Sequence, residues 1–151
     1  MKKDIKLYNV IFPVWMLILF PMMWLIVIPA NFVVDSLVLI GCMHFLKIDN
    51  KKSFYLKKIF WIFGFGFLAD IIGSGLMLLA MMFTPIGNYV EMADELFLTI
   101  PALVVAAALI FVLNYFVTFK KDEKNIRLKI SLIFAIVTAP YLYLFPSSWV
   151  Y

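Results

Sequence analysis

The chain has 151 residues, of which 66% are apolar and 15% charged, and its formal net charge is +4. Water-soluble domains are nearer half apolar and a quarter charged. The composition therefore excludes a soluble enzyme, a disordered chain and a disulfide scaffold, and leaves an all-α integral membrane protein.

The first apolar run covers 7–28 and would rise about 33 Å as a helix, enough to cross a bilayer. It is too long for the apolar core of a typical signal peptide, and a second apolar run follows it directly, so it reads as a retained span. The second run covers 31–46. Joined, the two would make a helix of about 60 Å, twice the hydrocarbon thickness. A turn is therefore expected at Pro29-Ala30-Asn31, with Asn31 capping the second helix. Three more spans are expected at 59–83, 96–119 and 130–146. The fold expected from these runs is a single transmembrane domain over 1–151, a bundle of five helices with no soluble domain.

Charge gives that bundle a direction. Lys2, Lys3 and Lys6 precede the first span. Lys47, Lys51, Lys52, Lys57 and Lys58 lie between the second and third, and Lys120, Lys121, Lys124, Arg127 and Lys129 lie between the fourth and fifth. With five spans all of these fall on one side, and Glu91, Asp94 and Glu95 fall on the other. The positive-inside rule then predicts a cytoplasmic N-terminus and an extracytoplasmic C-terminus in a cell membrane. The basic clusters flank apolar runs, so they read as topology signals and not as a nucleic-acid surface. Tyr55, Trp61 and Tyr115 at one level, and Trp24, Tyr141 and Tyr143 at the other, read as interfacial belts.

Few residues could carry chemistry. Asp70 stands about 18 Å along the third span, near the midplane, where a carboxylate costs roughly 2.5–3.5 kcal/mol on insertion scales. Its helical neighbours Gly66, Gly73 and Ser74 are small, so another helix or a cavity can approach. Asp35 would sit one turn into the second span near the outer surface, on the face of Asn31, offset from Asp70 by about 10 Å. Asn114 could bond across helices. Thr99, Ser131 and Thr138 are expected to bond back to their own helices. Gly66, Gly73, Gly75 and Ala107 are the expected packing positions. Cys42 and His44 are the single cysteine and histidine, which excludes paired-cysteine redox chemistry and a His-rich metal site, so no metal or cofactor is expected.

No nucleophile-and-base set or phosphate loop occurs, so an enzyme is not expected. Two functions fit. One is transport or ion and solute handling, with Asp70, Asp35, Ser74, Asn31 and Asn114 forming the site. The other is a non-catalytic accessory subunit of a larger membrane complex. The expected partners are the lipid bilayer and either a parallel homo-oligomer or a larger membrane protein.

Overall fold

The computed structural model describes residues 20–83 and 92–144, without the side chains of 81, 92–96 and 98. These residues form four α-helices: α1 (Pro21–Phe45), α2 (Lys51–Phe83), α3 (Met92–Leu113) and α4 (Lys124–Val137). A π-helical segment, Asn114–Thr118, extends α3, and a 3₁₀ turn, Tyr141–Leu144, follows α4. No strand occurs among the described residues. Four stretches are long and apolar enough to cross a membrane: Pro21–Phe45, Lys51–Ala80, Thr99–Thr118 and Lys124–Leu144.

The expected turn at Pro29-Ala30-Asn31 is absent, and α1 runs through it as one helix. Pro21 takes the helix start instead, where its missing N–H costs nothing because first-turn donors lack intrahelical partners anyway. Pro29 removes one hydrogen bond from the interior, which membrane helices tolerate. The expected spans at 7–28 and 31–46 therefore share one helix from Pro21 onward. The described residues carry four spans where five were expected; 7–19 lie outside them.

α1 turns into α2 through 46–50. Lys47 and Asn50 take left-handed backbone (φ 52° and 53°), reversing the chain within a few residues. α2 is the central element, against α1 on one side and α3 on the other, while α4 packs on α3 and touches α1. Leu39, Ile59, Ile62, Ala69, Met77, Ala106, Ile110, Ile130 and Phe134 make the core. Around it lies an apolar outer surface that includes Met22 (84% exposed), Leu25 (82%) and Phe83 (84%). Patches of this kind on every side suit lipid contact.

Two local irregularities shape the bundle. At Asn114 the side-chain amide donates to the carbonyl of Ile110 (2.9 Å), inserting itself into the helical ladder. The backbone widens there, and the N–H of Phe119 reaches Asn114 at i−5 (2.9 Å). At Pro140 the helix ends, because proline lacks the N–H for the Ile136 carbonyl and its ring clashes with it. The hydroxyl of Tyr141 donates to that same carbonyl. The span expected at 130–146 is thus α4, a break at 138–140, and a 3₁₀ turn.

The basic residues of 47–58 and of 120–129 meet at one end. Lys58 of α2 forms an ion pair with Asp122 (2.6 Å) and donates to the carbonyl of Thr118 (2.5 Å), between the rings of Phe54 and Phe119. Arg127 lies over the ring of Tyr115 (3.7 Å to the centroid). The start of α4 is thereby held at the same level as the start of α2.

This arrangement predicts sidedness. In a Cys42→Ser background, cysteines at Lys52 and Lys121 will react with an impermeant maleimide from the same face of a proteoliposome. A cysteine at Phe83 will react from the opposite face. Labelling of Lys52 and Lys121 positions from opposite faces would contradict the four-helix arrangement.

Candidate functional site between α1, α2 and the 141–144 turn

The polar residues of α1 and α2 share one seam because each set repeats at helical spacing. Asn31 and Asp35 are four apart on α1; Gly66, Asp70 and Ser74 are four apart on α2. The helices run antiparallel. Asn31 Nδ2 donates to Asp70 Oδ2 (3.1 Å), and one turn further Asp35 lies against Gly66. A Cβ built on Gly66 would stand 3.6 Å from Asp35 Oδ2, an ordinary contact, so the glycine leaves the carboxyl close to the α2 backbone. The Phe32–Phe63 and Trp24–Phe67 edge-to-face pairs flank the seam.

Both acids are buried: Asp35 is 4% exposed and Asp70 7%. Asp35 is not near a helix start. It stands about 21 Å along α1, well inside the span, because the helix begins at Pro21. Its axial offset from the level of Asp70 is one turn, about 6 Å, and not the expected 10 Å. Among the described residues the one ion pair is Lys58–Asp122, so neither buried acid faces a described cation.

A third element completes the site. The break at Pro140 turns the chain so that Tyr143 points inward and is 1% exposed. Its hydroxyl donates to the backbone carbonyl of Asp70 (2.6 Å) and pairs with Ser74 Oγ (3.1 Å). Tyr143 is therefore a core residue and not the interfacial anchor expected from its place near the end of a span. Gly73 makes the fit possible. A Cβ there would meet Tyr143 Oη at 2.7 Å and Cε2 at 2.9 Å. The sequence held two signals for this contact, a proline that can stop a helix and a Gly-Ser-Gly run opposite it. Neither identifies its partner without the fold.

The structure thus brings Asn31, Asp35, Asp70, Ser74, Gly66 and Gly73 together. Asn114 stands apart, buried in the π segment, bonded to Ile110 and accepting from Thr118 Oγ1 (2.9 Å). Among the described residues Gly75 has no neighbour within 4 Å of a built Cβ, so no described element packs closely on it. On α3 the closely packed alanines are Ala102 (5% exposed) and Ala106 (0%) rather than Ala107, which is half-buried. Thr138 bonds back to Phe134 (2.8 Å), whereas buried Ser131 Oγ has no partner among the described residues.

Chemically, the seam offers two carboxyls, one amide, two mutually bonded hydroxyls and a backbone carbonyl. Among the described residues no group of three His, Cys, Asp or Glu could hold a metal ion. The chain matches no family model, and no curated protein or solved structure is significantly similar to it.

The Tyr143–Gly73 contact yields a paired prediction. Gly73→Ala will destabilise the protein by about 1–3 kcal/mol, because the added methyl overlaps the ring. Gly75→Ala will be neutral or stabilising by about 0.5–1 kcal/mol, since no described residue comes within 4 Å of the added methyl and alanine favours helix. In a Tyr143→Ala background the cost of Gly73→Ala will vanish, a coupling readable by thermal unfolding in detergent. Equal effects at the two glycines would contradict the contact.

Proposed function

We propose that the protein handles an ion or a small solute in a cell membrane, through the Asp70 seam with Asp35 as its second acid. The observation that supports this most is the burial of two carboxyls, inside apolar helices, with a neutral amide as the one side chain among the described residues bonded to either. A hydrogen bond from Asn31 does not supply charge. A buried carboxylate without a charged partner is costly enough that it takes up a proton or a cation. Groups that exchange charge in this way are what an intramembrane relay or ion path requires. Asp35 and Asp70, a turn apart on facing helices, form two steps of one path.

The basic end is then cytoplasmic by the positive-inside rule, and the start of α3 extracytoplasmic. Four described helices make a thin bundle, so a path through it calls for neighbours. These are parallel copies of the chain or a larger membrane protein.

A second reading, a non-catalytic accessory subunit, is favoured by one observation. The Asn31–Asp70 bond and the inserted Tyr143 close the seam as a tight helix contact. Substitution separates the two readings. Asp70→Asn keeps the size and can still accept from Asn31, so the fold survives in both cases. Under the ion reading, activity in growth complementation or proteoliposome flux of H⁺, Na⁺ or K⁺ is lost, while thermal stability changes by no more than about 1 kcal/mol. Asp70→Leu leaves the Asn31 amide unpaired and costs about 1–3 kcal/mol as well. A stable Asp70→Asn protein with full activity would end the ion reading and leave the accessory one.

A further inference from the structure

At the N-terminal end of α2, about 28 Å along the helix from Asp70, the chain carries a shallow, open basic groove. Its volume is about 590 Å³, and it is lined by Asn50, Lys51, Lys52, Ser53, Leu56 and Lys57. The left-handed residues Lys47 and Asn50 make the turn short, which places the groove at the mouth of the α1–α2 pair. Three lysines line it, all exposed, and no carboxylate does. Asp49 is the nearest acid in sequence; it is exposed and pairs with none of the described cations. Lys58, one residue beyond, behaves differently. It is turned inward, paired with Asp122 and capped by the rings of Phe54 and Phe119. The fold thus consumes one lysine of this stretch internally and leaves three free on one concave surface.

Leu56, on the same lining, is 54% exposed. The groove is therefore cationic and polar with an apolar wall. It also lies at the start of a stretch, Lys51–Ala80, long and apolar enough to span a bilayer. At that depth the abundant complementary groups are the phosphodiesters of anionic lipids, with acyl chains beginning beside them. The first turn of a helix also carries partial positive charge, which adds the same sign.

We propose that this groove is a binding site for the headgroup of an anionic phospholipid. Lys51, Lys52 and Lys57 contact the phosphodiester, Ser53 and Asn50 donate to its oxygens, and Leu56 lies against the first part of the acyl chain. The site is independent of the acid seam and needs no activity to be tested.

The test uses the full chain in a neutral detergent, titrated with phosphatidylglycerol or with phosphatidylcholine and followed by native mass spectrometry. Wild type will retain phosphatidylglycerol in preference to phosphatidylcholine, less so as salt rises. Lys51→Gln/Lys52→Gln/Lys57→Gln will weaken phosphatidylglycerol binding on the order of 100-fold, and Lys52→Gln alone about fivefold, from roughly one factor of five per ammonium. The single change guards against misfolding of the triple, and circular dichroism reports helix content for both. A matched triple at Lys120, Lys121 and Lys124, exposed lysines of the other basic connection, removes the same charge and will stay close to wild type. Equal losses in the two triples would overturn the proposal in favour of a general surface charge. Loss of phosphatidylglycerol to competing inorganic phosphate would overturn it in favour of a soluble anion. So would equal retention of the two lipids.

Discussion

The hydrogen bond from Asn31 to Asp70 joins the two helices on which the rest of the fold is built. It favours this axial register of α1 against α2, because a slip of one turn one way would place Asp70 at the level of Val27 and Asn31 at that of Gly66, and the other way would set the two acids level with each other. That register puts Asp35 against Gly66 and brings Ser36 Oγ within 2.8 Å of Tyr55 Oη at the basic end of the same seam. From Asp70 the dependence passes to the far end of the chain. Its backbone carbonyl accepts from Tyr143, whose ring occupies the space left by Gly73. One residue therefore ties α1 through its side chain and the 141–144 turn through its main chain.

In lipid such a seam matters more than it would in water. Apolar burial does not drive helices together in a hydrocarbon solvent, so close packing and polar bonds between helices set their arrangement. The exposed surface of this bundle is apolar nearly all round, and the polar contacts are concentrated in two places. One is the Asn31–Asp70–Ser74–Tyr143 seam; the other is the basic end, where Lys58, Asp122 and Thr118 meet. The first is low in charge balance, with two acids and no described cation. The second is balanced for Lys58 and unbalanced for the lysines of the groove. That asymmetry is the basis on which we propose exchange of a small charge at the first region and the holding of an anionic headgroup at the second.

Much of this was legible in the residues. Composition and apolar run length pointed to an all-helical chain with helices long and apolar enough to cross a membrane, of which the described residues hold four, and the run boundaries near 46 and 59 and near 119 and 130 bracket connections that the structure also has. The gathering of the two later basic clusters at one end followed from alternating helices. Asp70 was legible because a carboxylate inside an apolar run is expensive wherever the helix ends lie. Asp35 was misplaced because its depth depends on where α1 begins. Pro29 looked like a turn, yet the local physics of Pro21 and Pro29 is the same, and only packing decides which proline starts the helix. The π segment was not legible, since an asparagine inside a helix can bond outward or back to i−4 with equal local sense. Tyr143 was missed for a related reason. An aromatic near a span end ordinarily faces the interface, and its inward turn depends on Pro140 and on a glycine seventy positions earlier.

The account rests on Asp70 and Asp35 being neutralised inside the bundle by something exchangeable, and infrared spectroscopy of the protein in bilayers addresses that directly. A difference spectrum between acid and alkaline buffer, or between sodium-free and sodium-containing buffer, isolates carboxyl groups that change state. The account predicts a buried-carboxyl signal that responds to one of these exchanges. It predicts also that the signal is altered by Asn31→Leu and abolished by Asp70→Asn combined with Asp35→Asn. A protein whose difference spectra are identical with and without those two aspartates would contradict it.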